Sequence, residues 1–315
     1  MKKLSILLLL IGTILIAEIT PPPLLPGDTI ALVGLGFNVK STTIKKSKAL
    51  LEGMGYKVLV GENLYTKNRY FAGNDQSRLD VFHNFIQNPH IKAIFHIRGG
   101  YGNTRLLDQI NYDLIKKNPK IIMGYSDVTA SLIAINKHCN LVTYHGPMPK
   151  TGITNTEKQY IKTVLEKQNI ITYQNPKSRP IKTVIPGKAT GKLIGGNLAV
   201  ITALMGTPHE PNWSECILFL EDIGEKDYQI DRFLTQLKSA GVLKKINGLI
   251  LGQFTEIKQS ITTNEDPILE ILKSLDIDIP CFYNSSIGHV SNQFILPIGY
   301  KVEMDASTGA LSLLD

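Results

Sequence analysis

Three residue types able to carry out acyl-transfer chemistry occur along this chain in the order serine, acid, histidine. Ser126 lies within Lys120-Ile121-Ile122-Met123-Gly124-Tyr125-Ser126-Asp127-Val128-Thr129-Ala130, which reads as a buried strand, a sharp turn and then a helix. A serine at such a turn projects its hydroxyl from the C-terminal edge of a sheet. The backbone N–H groups that follow open a helix, where they can stabilise a negative oxygen. This is the pattern of a nucleophile elbow with one departure: Gly-x-Ser-x-Gly would need Gly at 128, and the chain has Val128. Serine at a helix start is more often only a cap. Glu221 ends the apolar run Leu218-Phe219-Leu220, and His289 follows Gly288 in a stretch of turn-forming residues. The order matches elbow-type hydrolases. Glu221 also fits a solvated strand end, and His289 a satisfied loop histidine; spacing alone does not bring the three together.

The elements that must position these residues alternate in type. Apolar runs predict strands at 29–33, 57–60, 93–97, 121–123 and 141–144. Helical spacing predicts helices over 42–53 and over 75–87, the latter closed by Asn88-Pro89. Strands alternating with helices imply a parallel sheet covered on both faces. Ligands bind such sheets at the C-terminal strand ends. Arg98-Gly99-Gly100 and Ser126 both fall at such ends, so they can share one crevice. Residues 151–188 read as a connector with a helix at about 157–168. Beyond it, strands are predicted at 193–194, 217–220, 249–251 and 300–304, with a helix over 231–239.

Several blocks in order make the chain resemble the LD-carboxypeptidase family of serine peptidases, which includes microcin-immunity peptidases. They are Pro26-Gly27-Asp28-Thr29-Ile30-Ala31-Leu32-Val33, Arg98-Gly99-Gly100-Tyr101-Gly102 with Arg105-Leu106-Leu107, and Gly124-Tyr125-Ser126-Asp127. Then follow His145-Gly146-Pro147-Met148, Gly195-Gly196-Asn197-Leu198, Leu220-Glu221-Asp222 with Ile230-Asp231-Arg232, and Gly288-His289 with Leu296-Pro297-Ile298-Gly299. The resemblance implies a triad of Ser126, Glu221 and His289, and an oxyanion hole from the backbone N–H groups of Gly100 and Asp127. It implies a flavodoxin-like N-terminal α/β domain, a parallel sheet with helices on both faces, and a smaller β-rich C-terminal domain. It further implies a homodimer, murein tetrapeptide as substrate, release of D-alanine, and no cofactor. Two departures lie near where substrate should sit. Gly34-Leu35-Gly36-Phe37 replaces an Ala-Pro-Ser-like turn, and Val290 stands where a Gly often follows the histidine.

A carboxypeptidase must recognise a free carboxylate, and guanidinium forks match carboxylates. Arg98 and its neighbour Tyr101 are therefore candidate substrate contacts, although an arginine opening a Gly-rich loop more often ties that loop to its own domain. Asp127 is read as a helix cap in preference to a contact with a substrate ammonium.

Composition narrows the alternatives. With 315 residues, 43% hydrophobic and 19% charged, the chain has ample core and is not a disordered sequence. The net charge of +7 raises nucleic-acid binding, but Lys and Arg are scattered without a basic run, so no nucleic-acid partner is expected. Gly34-x-Gly36 lacks the third glycine of a dinucleotide loop, since position 39 is Val39. The seven histidines show no helical metal pair, and Cys139, Cys216 and Cys281 form neither a metal pattern nor a disulfide framework; no metal is expected.

Lys2 and Lys3 precede an apolar run from Leu4 to Ala17, the pattern of a secretory signal. The run is shorter than the roughly 20 residues of a comfortable membrane span. Leu15 makes the cleavage signal weak, so an uncleaved membrane tether stays open. The expected divisions are a signal peptide or N-terminal anchor at 1–19, the N-terminal domain carrying Ser126 at 20–165, a connector at 166–188, and the C-terminal domain carrying Glu221 and His289 at 189–315. The expected protein is an exported, periplasmic serine carboxypeptidase. The competing readings are an immunity-type peptidase cleaving toxic peptidyl-nucleotides and a non-catalytic exported two-domain ligand-binding protein.

Overall fold

Strands that are apolar at nearly every position belong in the middle of a sheet covered on both faces. Ile30-Ala31-Leu32-Val33 and Ile94-Phe95 are such runs, and the computed structural model buries all of them completely. It describes residues 18–258 and 266–314. The expected leader lies outside the described residues except for Glu18 and Ile19, and Ile19 bridges to Leu141.

The first half runs β1 (Thr29–Val33), α1 (Ser41–Glu52), β2 (Lys57–Val60), α2 (Asp75–Gln87), β3 (Ile91–His96), α3 (Tyr112–Lys117), β4 (Ile121–Gly124), α4 (Thr129–Cys139) and β5 (Thr143–His145). Next come α5 (Asn155–Tyr160), continued by a π-helical turn over Ile161–Glu166, β6 (Thr172–Tyr173) and β7 (Lys182–Ile185). The second half comprises β8 (Lys188–Asn197), α6 (Leu198–Leu204), β9 (Cys216–Ile223), α7 (Asp227–Ser239), β10 (Gly248–Thr255), α8 (Pro267–Ser274), β11 (Cys281–Tyr283), β12 (Leu296–Ile298), β13 (Lys301–Asp305) and β14 (Ala310–Leu313).

Among the described residues these strands form two sheets. The first has the order β12-β5-β4-β3-β1-β2. Its strands are parallel except β12, which joins β5 antiparallel from the far end of the chain. The second has the order β6-β14-β13-β8-β9-β10-β11-β7, with the central β8 to β11 parallel. The two-domain α/β architecture is the expected one. The segment read as a connector does more than link: residues 172–173 and 182–185 form both edge strands of the second sheet.

Helix α4 sits where the halves meet. It contacts β4 and β5 on one side and α6 and β8 on the other. Nine of its eleven residues are buried, which is how a helix enclosed on all sides reads. It ends at Asn140 in the left-handed conformation, φ 53°, where Asn is among the few non-glycine residues tolerated.

Candidate active site

β4 stops at Gly124, and the chain reverses through a 3₁₀ turn over Ser126–Val128 before entering α4. Ser126 has φ +64°, a left-handed conformation that L-residues other than Gly adopt rarely and at some energetic cost. Glycine two residues earlier permits the turn. A Cβ on Gly124 would lie 2.7 Å from Val128 Cγ1 and 3.1 Å from His96 Cβ. The absent second glycine of the elbow pattern is thus explained: Val128 packs over the open face of Gly124.

The Gly99-Gly100 loop lies directly against the serine. A Cβ on Gly99 would stand 3.2 Å from Ser126 Oγ and 3.1 Å from the Asp127 nitrogen. Gly100 has φ +102°, and the Phe37 ring occupies the space a side chain there would need. The side chain of Asp127 locks this loop in place. Its Oδ2 accepts from the Asn103 backbone N–H at 3.1 Å and from Asn103 Nδ2 at 2.7 Å, while Ser131 Oγ donates to Asn103 Oδ1 at 2.9 Å. Burial raises the Asp127 carboxyl pKa, and the Asn103 donors work against that shift. The capping role expected for Asp127 is corrected: neither the 3₁₀ turn nor α4 has a side-chain cap. Its carboxylate is taken by the neighbouring loop.

Glu221 and His289 come from the second half. Glu221 lies near the end of β9, in register with Asn197 of β8, and is completely buried. Its Oε2 lies 2.7 Å from His289 Nδ1. The partner assigns the tautomer: Nδ1 donates to the carboxylate, leaving Nε2 free to accept a proton. Gly288, φ +100°, makes the approach possible, since a Cβ there would fall 2.5 Å from Glu221 Oε2. Burial alone would depress the His289 pKa, but the hydrogen bond and charge of Glu221 outweigh it and hold the imidazole above its ordinary value. Val290, the other departure, follows without disturbing the pair, its N–H donating to the Gly288 carbonyl at 2.8 Å.

The adjacent carboxylate does different work. Asp222 accepts from Asn197 Nδ2, the Ala199 N–H and the Ile223 N–H, fixing the start of α6 to the end of β9. Burial and the neighbouring Glu221 raise its pKa to about 6.

Tyr125 joins the halves, its ring meeting the His289 ring edge-on with centroids 4.8 Å apart. No hydrogen bond links Ser126 Oγ to His289 among the described residues. Such contacts are often long before substrate binds.

Sequence reading missed the supports of the His289 loop. Asn175 Oδ1 accepts from the Ser286 N–H at 2.8 Å, Arg179 Nη1 donates to Ser286 Oγ at 3.0 Å, and Gln253 Nε2 donates to Asn284 Oδ1 at 2.8 Å. These are single contacts between distant residues, with no periodic signal to announce them.

Arg98 Nη1 donates to the Asn38 carbonyl at 3.0 Å, and its guanidinium lies 5.3 Å from the centre of the Phe37 ring. This is the loop-tying arrangement. Tyr101 is exposed and groups with Tyr70 and Phe71 at centroid distances of 6.3 and 6.0 Å. Arg69 lies over Tyr70 and Arg105 over Phe71, completing an aromatic and cationic lip. A cavity of about 920 Å³ opens near the C-terminal end of α4, lined by Lys137, Lys192, Glu210 and Tyr300 among others. It includes none of Ser126, Glu221 and His289. The three cysteines are buried and unpaired, and no helix among the described residues is long and apolar enough to cross a membrane.

Comparison with known proteins bears on the family and the fold. Residues 30–146 match the LD-carboxypeptidase N-terminal domain, and residues 190–304 match the LD-carboxypeptidase C-terminal domain. The chain is 34% identical to a protein of Bacillus subtilis named probable murein peptide carboxypeptidase, over 91% of this chain and 92% of that one. It is 29% identical to the microcin C7 self-immunity protein MccF of Escherichia coli, over 93% and 95% of the two chains. The crystal structure of muramoyltetrapeptide carboxypeptidase from Oxalobacter formigenes superposes with a TM-score of 0.80 at 29% identity, covering 91% of this chain and 99% of the other. With both domains matched in order and the relatives covered nearly end to end, this chain belongs to the LD-carboxypeptidase family of serine peptidases.

Proposed function

We propose that the protein hydrolyses an L,D peptide bond and releases the terminal D-alanine of murein tetrapeptide. The observation that carries this reading is the pair of buried Glu221 and half-buried His289, 2.7 Å apart, with the His289 ring 4.8 Å from that of Tyr125, the residue that precedes Ser126 in its left-handed turn. The murein names borne by the Bacillus subtilis and Pseudomonas aeruginosa relatives support the substrate class.

In this mechanism His289 Nε2 takes the Ser126 proton as Oγ attacks the carbonyl carbon, and Glu221 stabilises the imidazolium. The N–H groups of Gly100 and Asp127 hold the oxyanion; losing one such donor costs roughly 100- to 1,000-fold in rate. The imidazolium then protonates the departing D-alanine amine, leaving an acyl-serine. Water, deprotonated by His289, adds to the acyl carbon, and the proton returns to Ser126 as the shortened peptide leaves. Arg69 of the lip and Arg98 supply positive charge for the carboxylates of such a peptide, whereas Arg105 is already paired with Asp75. The same reading has the protein exported, to the periplasm or tethered through its leader, and acting as a homodimer.

The test is mass spectrometry after incubation with L-Ala-γ-D-Glu-meso-diaminopimelate-D-Ala. Wild type should remove D-alanine and Ser126→Ala should leave the peptide intact. An intact peptide with wild type would overturn the substrate, and failure of a fluorophosphonate to label Ser126 would favour a binding protein. Similarity to MccF, together with the stacking surface of Tyr70 and Tyr101, favours a second reading in which the same residues cleave a peptidyl-nucleotide. Hydrolysis of that substrate in preference to the tetrapeptide would select it.

A further inference from the structure

Two imidazoles flank Gly124 in the sheet beneath Ser126. β3, β4 and β5 lie side by side, with Phe95 paired to Met123 and Gly124 paired to His145. His96, Gly124 and His145 therefore occupy one row, and neighbours in a row share a face of the sheet. Both histidines are completely buried, and none of their four ring nitrogens has a hydrogen-bond partner. Unpartnered buried polar atoms are few in native proteins and each calls for an account.

The surroundings of the two rings differ. Burial alone sets the pKa of His96, at about 3. His145 also feels Glu221 and His289: burial brings it down to about 4, against the pull of the Glu221 charge and with the push of His289. Its ring lies 5.2 Å from that of Phe219, two residues before Glu221, and 5.9 Å from that of Tyr125, whose ring also meets His289. Three further carboxylates act on this group: Asp222, occupied by its own three donors, and Glu256 act on His289, and Glu157, which accepts from the Thr154 and Gln293 N–H groups, acts on Tyr125. One atom of this enclosed group stands out. Glu221 Oε2 is taken by His289, whereas Glu221 Oε1 is buried without a partner. A neutral imidazole carries one N–H and one lone pair. His145 has the donor that Oε1 lacks.

We propose that His145 is a positioning residue for Glu221, its ring N–H holding Oε1 after a small side-chain adjustment or across one bridging water. The carboxylate would then be fixed at both oxygens, and His289 aimed at Ser126 by a group unable to swing. This rests on the proposed Ser126–His289–Glu221 mechanism.

The test compares His145→Leu, His145→Gln and His96→Leu by melting temperature and by full pH–rate profiles on the substrate that wild type cleaves. His145→Leu should lose about tenfold in kcat, the scale of one hydrogen bond to a buried charge, with KM little changed. Its acidic limb should move to higher pH, because a carboxylate stripped of a donor binds the imidazolium more tightly. His145→Gln, which keeps an N–H, should recover most of both effects. His96→Leu should leave kcat and profile as in wild type. If His145→Leu does not fold, His145→Asn is compared with His145→Gln, and the longer amide should be the more active. Unchanged kcat and profile in His145→Leu would overturn the proposal, as would a loss that follows melting temperature without a shift of the acidic limb or rescue by Gln. A fully active Ser126→Ala would instead sink the mechanism on which it stands, so the two failures are distinguishable.

Discussion

The two halves of the molecule present their reactive groups by different physical means. The first half uses backbone shape. Ser126 is held at φ +64°, Gly124 admits Val128, Gly99 admits the serine, and Asp127 fastens the intervening loop through Asn103. The second half uses side-chain chemistry. A buried carboxylate grips His289, and the loop around it hangs from Asn175, Arg179 and Gln253. One side should therefore be sensitive to volume and dihedral angle, the other to charge and hydrogen bonding.

The sharpest way to break this contrast is at the serine. Ser126→Ala should fold and lose at least about 10,000-fold in kcat. Ser126→Gly should be as inactive yet more stable than Ser126→Ala by about 1 kcal/mol, because glycine adopts positive φ without strain. Equal denaturation midpoints for the two variants would mean that no strain is held there.

Glu221→Gln comes next. Replacing a triad carboxylate by its amide costs roughly 10,000-fold in a serine protease with the same logic, and the loss here should be smaller than for Ser126→Ala. The wild-type acidic limb should lie above 6.5, since Glu221 holds the imidazole above its ordinary value and the base must be neutral. In the amide variant the limb should fall. An unshifted limb would dissociate Glu221 from the base.

The loop supports should matter less. Arg179→Ala removes the donor to Ser286 Oγ, which lies three residues before His289. It should reduce kcat about tenfold and leave the melting temperature within a few degrees, as for loss of a single hydrogen bond. A loss as large as that of Glu221→Gln would show that the loop, not the carboxylate, aims the imidazole.

The two buried imidazoles act on acid stability, His96 without acting on turnover. His96 and His145 have folded pKa values of about 3 and about 4, below the 6.5 of a free imidazole. Between those values the unfolded chain binds more protons than the folded one, so stability falls as pH drops from about 6.5 towards 4 and below. His96→Leu should flatten this fall in urea titrations between pH 6.5 and 4. An unchanged slope would assign acid lability to other groups.

Much of the first half was legible because its signals are local. The strand predicted at 29–33 matches β1, the helix over 42–53 differs from α1 by one residue at each end, and the strand–turn–helix around Ser126 is present. The strand at 141–144 is shifted: β5 covers Thr143–His145 and so takes in the buried His145. Glu221 and His289 were legible as residue types in order, and their contact is a fact of tertiary structure alone. Illegible were the attachments between distant segments: Asp127 on Asn103, residues 175–179 under the histidine loop, and β12 in the first sheet. Each depends on a single side chain or a three-residue strand, too short to impose a pattern on the sequence.

β12 carries a consequence for how such a protein can be inherited. Residues 296–298 close the sheet that begins at residue 29, while residues 172–185 supply both edges of the other sheet. The two halves are interlaced and not strung together, so neither can be cut out and joined to another gene without leaving a raw sheet edge open to self-association. Recombination between relatives is therefore penalised at the domain boundary, and new specificities must arise by exchanging residues at the crevice and its lip.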